Sequence, residues 1–105
     1  MRMKSLIIFL NGENMNYTKE QTEFLKSLDF MKLGQAINRG QWQSAAMTIR
    51  RLDQKAKEAG MNDFERNFTG IRQCINCKDV NEAKQILAVI VNKRAKYLNA
   101  VKETL

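Results

Sequence analysis

Histidine and proline are absent from this chain of 105 residues, and cysteine and glycine are scarce, with two and five residues. Histidine is the ordinary general base near neutral pH, so its absence removes the common nucleophile-base schemes of catalysis. Sandwiches and barrels need frequent glycine and proline at their turns, so the scarcity of both argues against an all-β fold. We therefore expect an all-α protein that is not an enzyme and uses no cofactor.

Acidic side chains are outnumbered, with 11 Asp and Glu against 18 Lys and Arg, which gives a net charge of +7. This charge favours anionic partners but does not separate nucleic acid from membranes or acidic proteins. A chain of this length builds one small domain around a single core. We expect that domain at residues 18–105, after an N-terminal extension at residues 1–17.

The extension contains the only candidate targeting segment, residues 5–10. It is too short for a signal peptide or a membrane span, so we expect neither export nor a membrane association. Two cysteines are too few for a disulfide scaffold, which makes a reducing cytoplasm the simplest location. Codons for Gly12, Glu13 and Asn14 can resemble a bacterial ribosome-binding site, so Met15 is a candidate natural start; packing of the segment onto the domain is the alternative.

The first helix is predicted from a capping box made by Thr18 and Gln21. Its expected inner face consists of Phe24, Leu28 and Met31. The apolar stripe then shifts to Phe30, Leu33 and Ile37. This shift predicts either a bend near Asp29 or a short helix followed by a second one.

The next helix is predicted between a turn at Arg39 and Gly40 and a left-handed cap at Gly60. Its apolar stripe is Trp42, Ala45, Ala46, Ile49, Leu52 and Ala56. A second capping box, Asn62 with Glu65, predicts the third helix. Its inner face is Phe64, Phe68, Ile71 and Ile75.

The last helix is predicted to start at Asp79 and Glu82 and to run almost to the chain end. Its stripe is Ala83, Ile86, Leu87, Ile90, Val91, Leu98, Val101 and Leu105. All connections are short, so sequential helices should pack side by side in opposite directions. We expect an antiparallel up-down-up-down four-helix bundle.

Three groups of side chains are candidate chemical sites. Asp53 is the only acid that we place near an apolar face, and we expect it to pair with a lysine or arginine, since a catalytic role needs a second acid nearby. Cys74 and Cys77 have half-zinc-site spacing without a second pair, so we expect ordinary thiols, with Cys74 beside the core and no metal unless an oligomer supplies more ligands. Arg94 falls within the last apolar stripe and should extend to solvent or pair with an acid such as Asp53.

Arg50, Arg51, Lys55 and Lys57 make one side of the second predicted helix basic. A solvated basic surface is the simpler interpretation. Binding to the phosphates of a nucleic acid is the alternative, although the aromatic residues fall at core spacing and acids lie close in sequence.

From Phe24 to about Leu98, the order of features resembles the histidine-containing phosphotransfer domain, a four-helix bundle that relays phosphoryl groups between kinases and receiver domains. The turn at residues 39–42, the later Gly60, the helix at residues 64–75 and the turn at residues 78–83 all follow that order. Residues 46–51, Ala-Met-Thr-Ile-Arg-Arg, stand where that family has Ala, His, any residue, Leu, Lys, Gly.

This resemblance implies that Met47 takes the place of the phospho-accepting histidine, that Arg50 keeps the charge of the family's lysine and that Arg51 replaces its glycine. Helical angles independently direct Met47 away from the apolar stripe. The predicted function is a non-catalytic module that binds a protein partner, a receiver-like or kinase domain of bacterial two-component signalling. The predicted binding surface consists of Met47, Arg50, Arg51 and Gln54.

Overall fold

The computed structural model describes the backbone of residues 17–104 and the side chains of residues 17–101. Within these bounds the chain has no strand and forms five α-helices: α1 Lys19–Leu25, α2 Asp29–Asn38, α3 Trp42–Ala59, α4 Glu65–Cys77 and α5 Val80–Thr104. Because α1 and α2 together replace the first predicted helix, the helices form four units, compatible with a helical bundle. The all-α prediction is confirmed; the predictions for residues 1–16 and for Leu105 lie outside the described residues.

The predicted capping box at the start of α1 is present. The Gln21 backbone N–H donates to Thr18 Oγ1 over 3.0 Å, and the Thr18 N–H donates to Gln21 Oε1 over 3.1 Å. Gln21 also donates from Nε2 to the carbonyl oxygen of Ala59 over 3.1 Å, at the end of α3. One side chain therefore starts α1 and joins it to α3.

The shift in apolar phase marks a break between two helices, because α1 ends at Leu25 and α2 begins at Asp29. The inner face of α1 does not continue across this break. Leu28 and Met31 are 66% and 54% exposed, so their assignment to that face was wrong. The stripe of α2 is confirmed, with Phe30, Leu33 and Ile37 all buried.

The ends of the later helices agree with the sequence in two cases out of three. Gly60 closes α3 with a φ of +72°, and Asp79 Oδ1 accepts the Glu82 N–H over 3.0 Å at the start of α5. The capping box expected at Asn62 is not formed. Asn62–Phe64 instead winds into a 3-10 turn, without a side-chain cap for α4, and this tighter turn carries Phe64 into the core.

Aromatic rings form the centre of the core. Phe24 contacts Phe30 and Phe64 edge-on, with ring centroids 5.3 Å apart in both pairs, the geometry that aromatic quadrupoles favour. Phe68 and Tyr97 adjoin the same group. All the residues of the predicted α4 stripe are buried, which confirms that face.

α5 lies along this core with contacts to α2 and α4. A Cβ on Gly34 would lie 3.4 Å from Leu87 Cδ2, and one on Gly70 would lie 3.0 Å from Ile86 Cδ1, so both glycines admit close packing of α5. Val91 was predicted to belong to the buried stripe of α5, but it is 49% exposed, so this assignment was wrong. The apolar surface of α5 is wider than the part that neighbouring helices cover. No helix in the described part of the chain combines the length and the apolar character that a membrane span requires.

Arg94 enters the core from α5. Its Nε donates to the carbonyl oxygen of Leu25 over 2.6 Å, and its guanidinium lies 4.9 Å from the ring centroid of Phe30. Burial lowers the pKa of Arg94. Arg94 thus satisfies a carbonyl at the end of α1 and stacks on an aromatic ring. Of the two expected arrangements, extension to solvent or pairing with an acid such as Asp53, the acid pair is not formed among the described residues.

Candidate functional site

The four residues predicted as a binding surface lie on the outward side of α3. Met47, Arg50, Arg51 and Gln54 follow the spacing of three and four residues that places side chains on one helical face. All four are exposed. The structure therefore brings them together along two turns of one helix, although their surroundings differ.

Met47 is the apolar residue of this face and lies at its N-terminal end, with 55% of its surface exposed. It borders a shallow depression at the start of α3, whose other lining residues are Gln41, Trp42, Gln43 and Ser44. Trp42 is partly buried and packs against the core, which gives the depression a rigid apolar side. A flexible thioether beside an indole ring suits contact with another surface.

Arg51 differs from its neighbours because it is bound within the chain. Its Nη2 lies 3.1 Å from Asp29 Oδ1, and its Nε donates to Asp29 Oδ2 over 3.3 Å. A further bond of 3.4 Å reaches Thr48 Oγ1. This two-point pairing holds α3 to the start of α2, so Arg51 has a structural contact as well as an exposed edge.

Asp29 is the buried partner of this pair, with only 7% of its side chain exposed. Lys55 adds a second cation, with Nζ 3.4 Å from Asp29 Oδ2. Burial by itself raises the pKa of Asp29, but the hydrogen bond and charge of Arg51, and then those of Lys55, outweigh burial and lower it. Asp53 is therefore not the only acid near an apolar face, and that prediction was wrong, because Asp29 is buried at the start of α2.

Asp53 pairs with cations, as the sequence predicted. Arg72 Nη1 donates to Asp53 Oδ2 over 3.1 Å, and Lys57 Nζ lies 3.3 Å from the same oxygen. Around it, α3 and α4 border a cavity of about 450 Å³, and no second carboxylate lines that cavity in the described structure. Two cations compensate the charge of Asp53, and the described lining does not provide a second acid for paired-carboxylate catalysis.

Arg50 and Gln54, the other two residues of the face, differ in whether their side chains have a bonding partner. Arg50 lies at the edge of the cavity beside Asp53 and makes no ion pair with any residue between 17 and 101. Gln54 donates from Nε2 to Glu58 Oε2 over 3.1 Å, one turn along the same exposed helix. Of the predicted binding residues, Arg50 is thus the cation whose charge is least compensated by the fold.

The two thiols at the end of α4 have different environments. Cys74 is buried beside the core, as predicted, while Cys77 is exposed. Burial, then the charges of Glu82 and Asp79, raise the pKa of Cys74. A raised pKa keeps this thiol protonated near neutral pH and so opposes its use as a nucleophile. Among the described residues, no three side chains of the histidine, cysteine, aspartate or glutamate types come together as metal ligands.

Compared with known proteins, the chain matches no protein-family model, no curated protein and no solved structure. The resemblance to the phosphotransfer domain accordingly stays a prediction.

Proposed function

We propose that the protein is a non-catalytic module that binds a protein partner through the outward face of α3, with Met47 at the centre of contact. The supporting observation is the 55% exposure of Met47 one turn before the exposed side chains of Arg50 and Arg51 on the same helix face. A thioether cannot accept a phosphoryl group in the way that an imidazole nitrogen does. At the position where the resembled family carries its histidine, Met47 provides apolar contact area and no phosphotransfer.

The finer arrangement of the bundle is part of this proposal. We propose the antiparallel up-down-up-down order, which the short connections between helices support. Two contacts also support it: Arg94 stacks on Phe30, whereas Leu87 lies against Gly34. Residue numbers increase along α2 as they decrease along α5, as expected for antiparallel neighbours.

The proposed partner is a receiver-like or kinase domain of a bacterial two-component system, in the cytoplasm. The order of helices and the position of residues 46–51 on an exposed helix support this choice through the resemblance described above. Arg50, which keeps the charge of the family's lysine, stays exposed without an ion pair in the described residues. The module would compete for, or present, a signalling domain without passing phosphate on.

The ion pairs of α3 argue against the alternative of nucleic-acid binding. Arg51 and Lys55 bind Asp29, and Lys57 binds Asp53. Each pairing reduces the positive potential available to a phosphate backbone. Retention on DNA or RNA at low salt, lost steeply as salt is added, would nevertheless establish this alternative in place of protein binding.

The test of the proposal compares two exposed methionines. Tagged wild-type protein, Met47→Glu and Met31→Glu are used to capture partners from the native host, and the captured proteins are identified by mass spectrometry. Met31 is the matched control because it is 54% exposed and lies on α2. We expect Met47→Glu to abolish capture of a specific partner that both the wild type and Met31→Glu retain.

Equal capture by all three proteins would refute a contact at Met47. Circular dichroism of each variant checks that the helical content is unchanged. Arg51 is unsuitable for this test, since a glutamate there would face the buried carboxylate of Asp29 and disturb the fold itself.

A further inference from the structure

The cavity beside Asp53 is an open groove between α3 and α4. It adjoins the predicted binding surface of Met47, Arg50, Arg51 and Gln54 at Arg50, which borders both. Its volume is about 450 Å³. It is lined by Ala46, Ile49, Arg50, Asp53, Lys57, Arg72, Ile75 and Asn76. Along α3 it extends over twelve residues, from Ala46 to Lys57, and the eleven helical rises between them span roughly 16 Å. That length accommodates about five residues of an extended peptide.

More positive than negative side chains line the groove. Three cations, Arg50, Lys57 and Arg72, surround the single carboxylate of Asp53. Two of them are already engaged, because Lys57 and Arg72 both bind Asp53 Oδ2 and Arg72 Nη2 also donates to Thr69 Oγ1 over 3.0 Å. Arg50 alone has no ion-pair partner in the part of the chain that the structure describes.

We infer that this groove binds a short acidic peptide segment of the protein partner, with a carboxylate of that segment on the guanidinium of Arg50. The inference rests on the proposed function, and it adds the chemistry of the partner. A guanidinium presents two parallel N–H donors that match a carboxylate, so Arg50 can bind it at two points. Ile49 and Ile75 close the floor of the groove but are only 1% and 8% exposed, so the surface open to a ligand is mainly polar and Arg50 is its principal contact.

A polynucleotide fits this groove less well than an acidic peptide. Evenly spaced phosphates need a row of uncompensated cations, whereas two of the three here are paired with Asp53. Single-stranded bases also need aromatic side chains on which to stack. None of the described residues that line the groove is aromatic.

The experiment is a titration of the isotope-labelled full chain, followed by NMR of its backbone amides. The probes are a blocked peptide of sequence Leu-Glu-Glu-Leu-Glu, the same peptide with glutamine in place of glutamate, and a short oligothymidylate. We expect the glutamate peptide to shift the amides of Arg50, Asp53, Lys57 and Arg72, and the glutamine peptide to bind at least about tenfold more weakly.

Two arginine variants locate the contact. Arg50→Glu should weaken binding of the glutamate peptide by about tenfold or more, because it replaces the contacting cation with a like charge. Arg66→Glu is the matched control, since Arg66 is an exposed arginine on α4 that lines a different surface, beside Glu65 and Lys93. It makes the same change in net charge and should alter binding by less than about twofold.

Several results would overturn the inference: equal binding of the glutamine peptide, no binding of the glutamate peptide, an unchanged affinity in Arg50→Glu, or preferential binding of the oligothymidylate. The proposed function is tested independently of the groove, and it is refuted if Met47→Glu still captures the partner. If Met47→Glu loses the partner while Arg50→Glu keeps it, partner binding at Met47 stands and the acidic peptide in the groove is refuted.

Discussion

At the scale of single residues, Asp29 is a buried charge that joins α2 to α3. Its carboxylate accepts bonds from Arg51 and Lys55, and its backbone N–H donates to Ser27 Oγ over 3.1 Å. These contacts lie at the break between α1 and α2 and reach across to α3. The pairing is selective for the ionised carboxylate, since both of its partners are cations.

Asp29→Asn should lower the free energy of unfolding at neutral pH by about 1–2 kcal/mol, since it weakens charge-assisted bonds to a buried acceptor. The folded protein lowers the pKa of Asp29. The carboxylate therefore stabilises the fold fully above its unfolded pKa, which is about 3.9, and this stabilisation is lost as the pH falls through the lower folded value. Urea unfolding from pH 7 to pH 2 should show the gap between the variant and the wild type closing below about pH 4.

Glu23→Gln is the control for this comparison. Glu23 is exposed, and its carboxylate forms no hydrogen bond or ion pair with the described residues. Its stability curve should follow that of the wild type. A gap between Asp29→Asn and the wild type that stayed constant down to pH 2 would show that Asp29 ionisation does not stabilise the fold.

Tyr97 gives the corresponding alkaline prediction. Burial, followed by the hydrogen bond to Asp63, raises its pKa to about 12. The fold thus favours the neutral phenol. The contribution of Tyr97 to the free energy of unfolding is complete below the ordinary tyrosine pKa of about 10, and it is lost as the pH rises from there through about 12. The chain has only two tyrosines, so Tyr17→Phe leaves Tyr97 as the only phenol, and phenolate absorbance reports it directly.

In Tyr17→Phe, the folded protein should titrate near pH 12 and the urea-unfolded protein near pH 10. Adding Asp63→Asn should move the folded midpoint downward, because Tyr97 donates to Asp63 Oδ2 over 2.8 Å. A folded midpoint near the unfolded value would contradict the buried hydrogen-bonded phenol.

At the scale of elements, the ends of the helices were more predictable where one residue type has a strong local preference. Glycine adopts a positive φ without steric cost, and Gly60 does so at the end of α3. Lys78 does the same at the end of α4, with a φ of 54°, but carries a side chain. No sequence preference pointed to a left-handed lysine, because only the packing of α4 and α5 forces the chain to turn there.

Lys78→Gly should therefore stabilise the protein, by about 0.5–1 kcal/mol, since it relieves the left-handed strain at a modest entropic cost. For a domain of this size, the melting temperature should rise by several degrees. The matched control is Lys84→Gly, at an exposed position inside α5, which should destabilise by about 1 kcal/mol. A loss of stability in Lys78→Gly would show that the lysine side chain contributes more than its backbone conformation costs.

The elements also show where sequence periodicity stops being informative. Within one continuous helix, apolar residues at intervals of three and four predicted the buried faces of α3 and α4. Across the break at residues 26–28, the same periodicity misassigned Leu28 and Met31, because each helix has its own rotation about its axis. The capping pattern at Asn62 failed for a different reason: burial of Phe64 favours a 3-10 turn over a side-chain cap.

At the scale of the whole molecule, contacts between distant residues decide how the helices are oriented. The proposed antiparallel order predicts nuclear Overhauser effects between Phe30 and Arg94 and between Gly34 and Leu87, since these pairs are in contact. A spectrum of the uniformly labelled protein measures both. Contacts of Phe30 with a part of α5 that precedes the residues near Gly34 would contradict the antiparallel order.

The surface of the molecule was predicted in part. The exposure of Met47 follows from its angle relative to a long apolar stripe, and the structure confirms it. The pairing of Arg51 did not follow from the sequence, since Asp29 lies 22 residues away on another helix. Arg72 was not singled out either, because its role depends on a carboxylate 19 residues earlier in the chain.

The sequence by itself therefore determined the features that depend on neighbours within a turn or two: helical class, most helix ends, the buried faces of α3 and α4 and the exposure of Met47. These features are local because capping bonds and helical periodicity span three or four residues. Only the tertiary structure decided which charges are compensated. It pairs Arg51 with Asp29 and surrounds Asp53 with cations from two helices, while Arg50 stays exposed at the edge of the groove, because ion pairing depends on distances that exist only after the helices have packed.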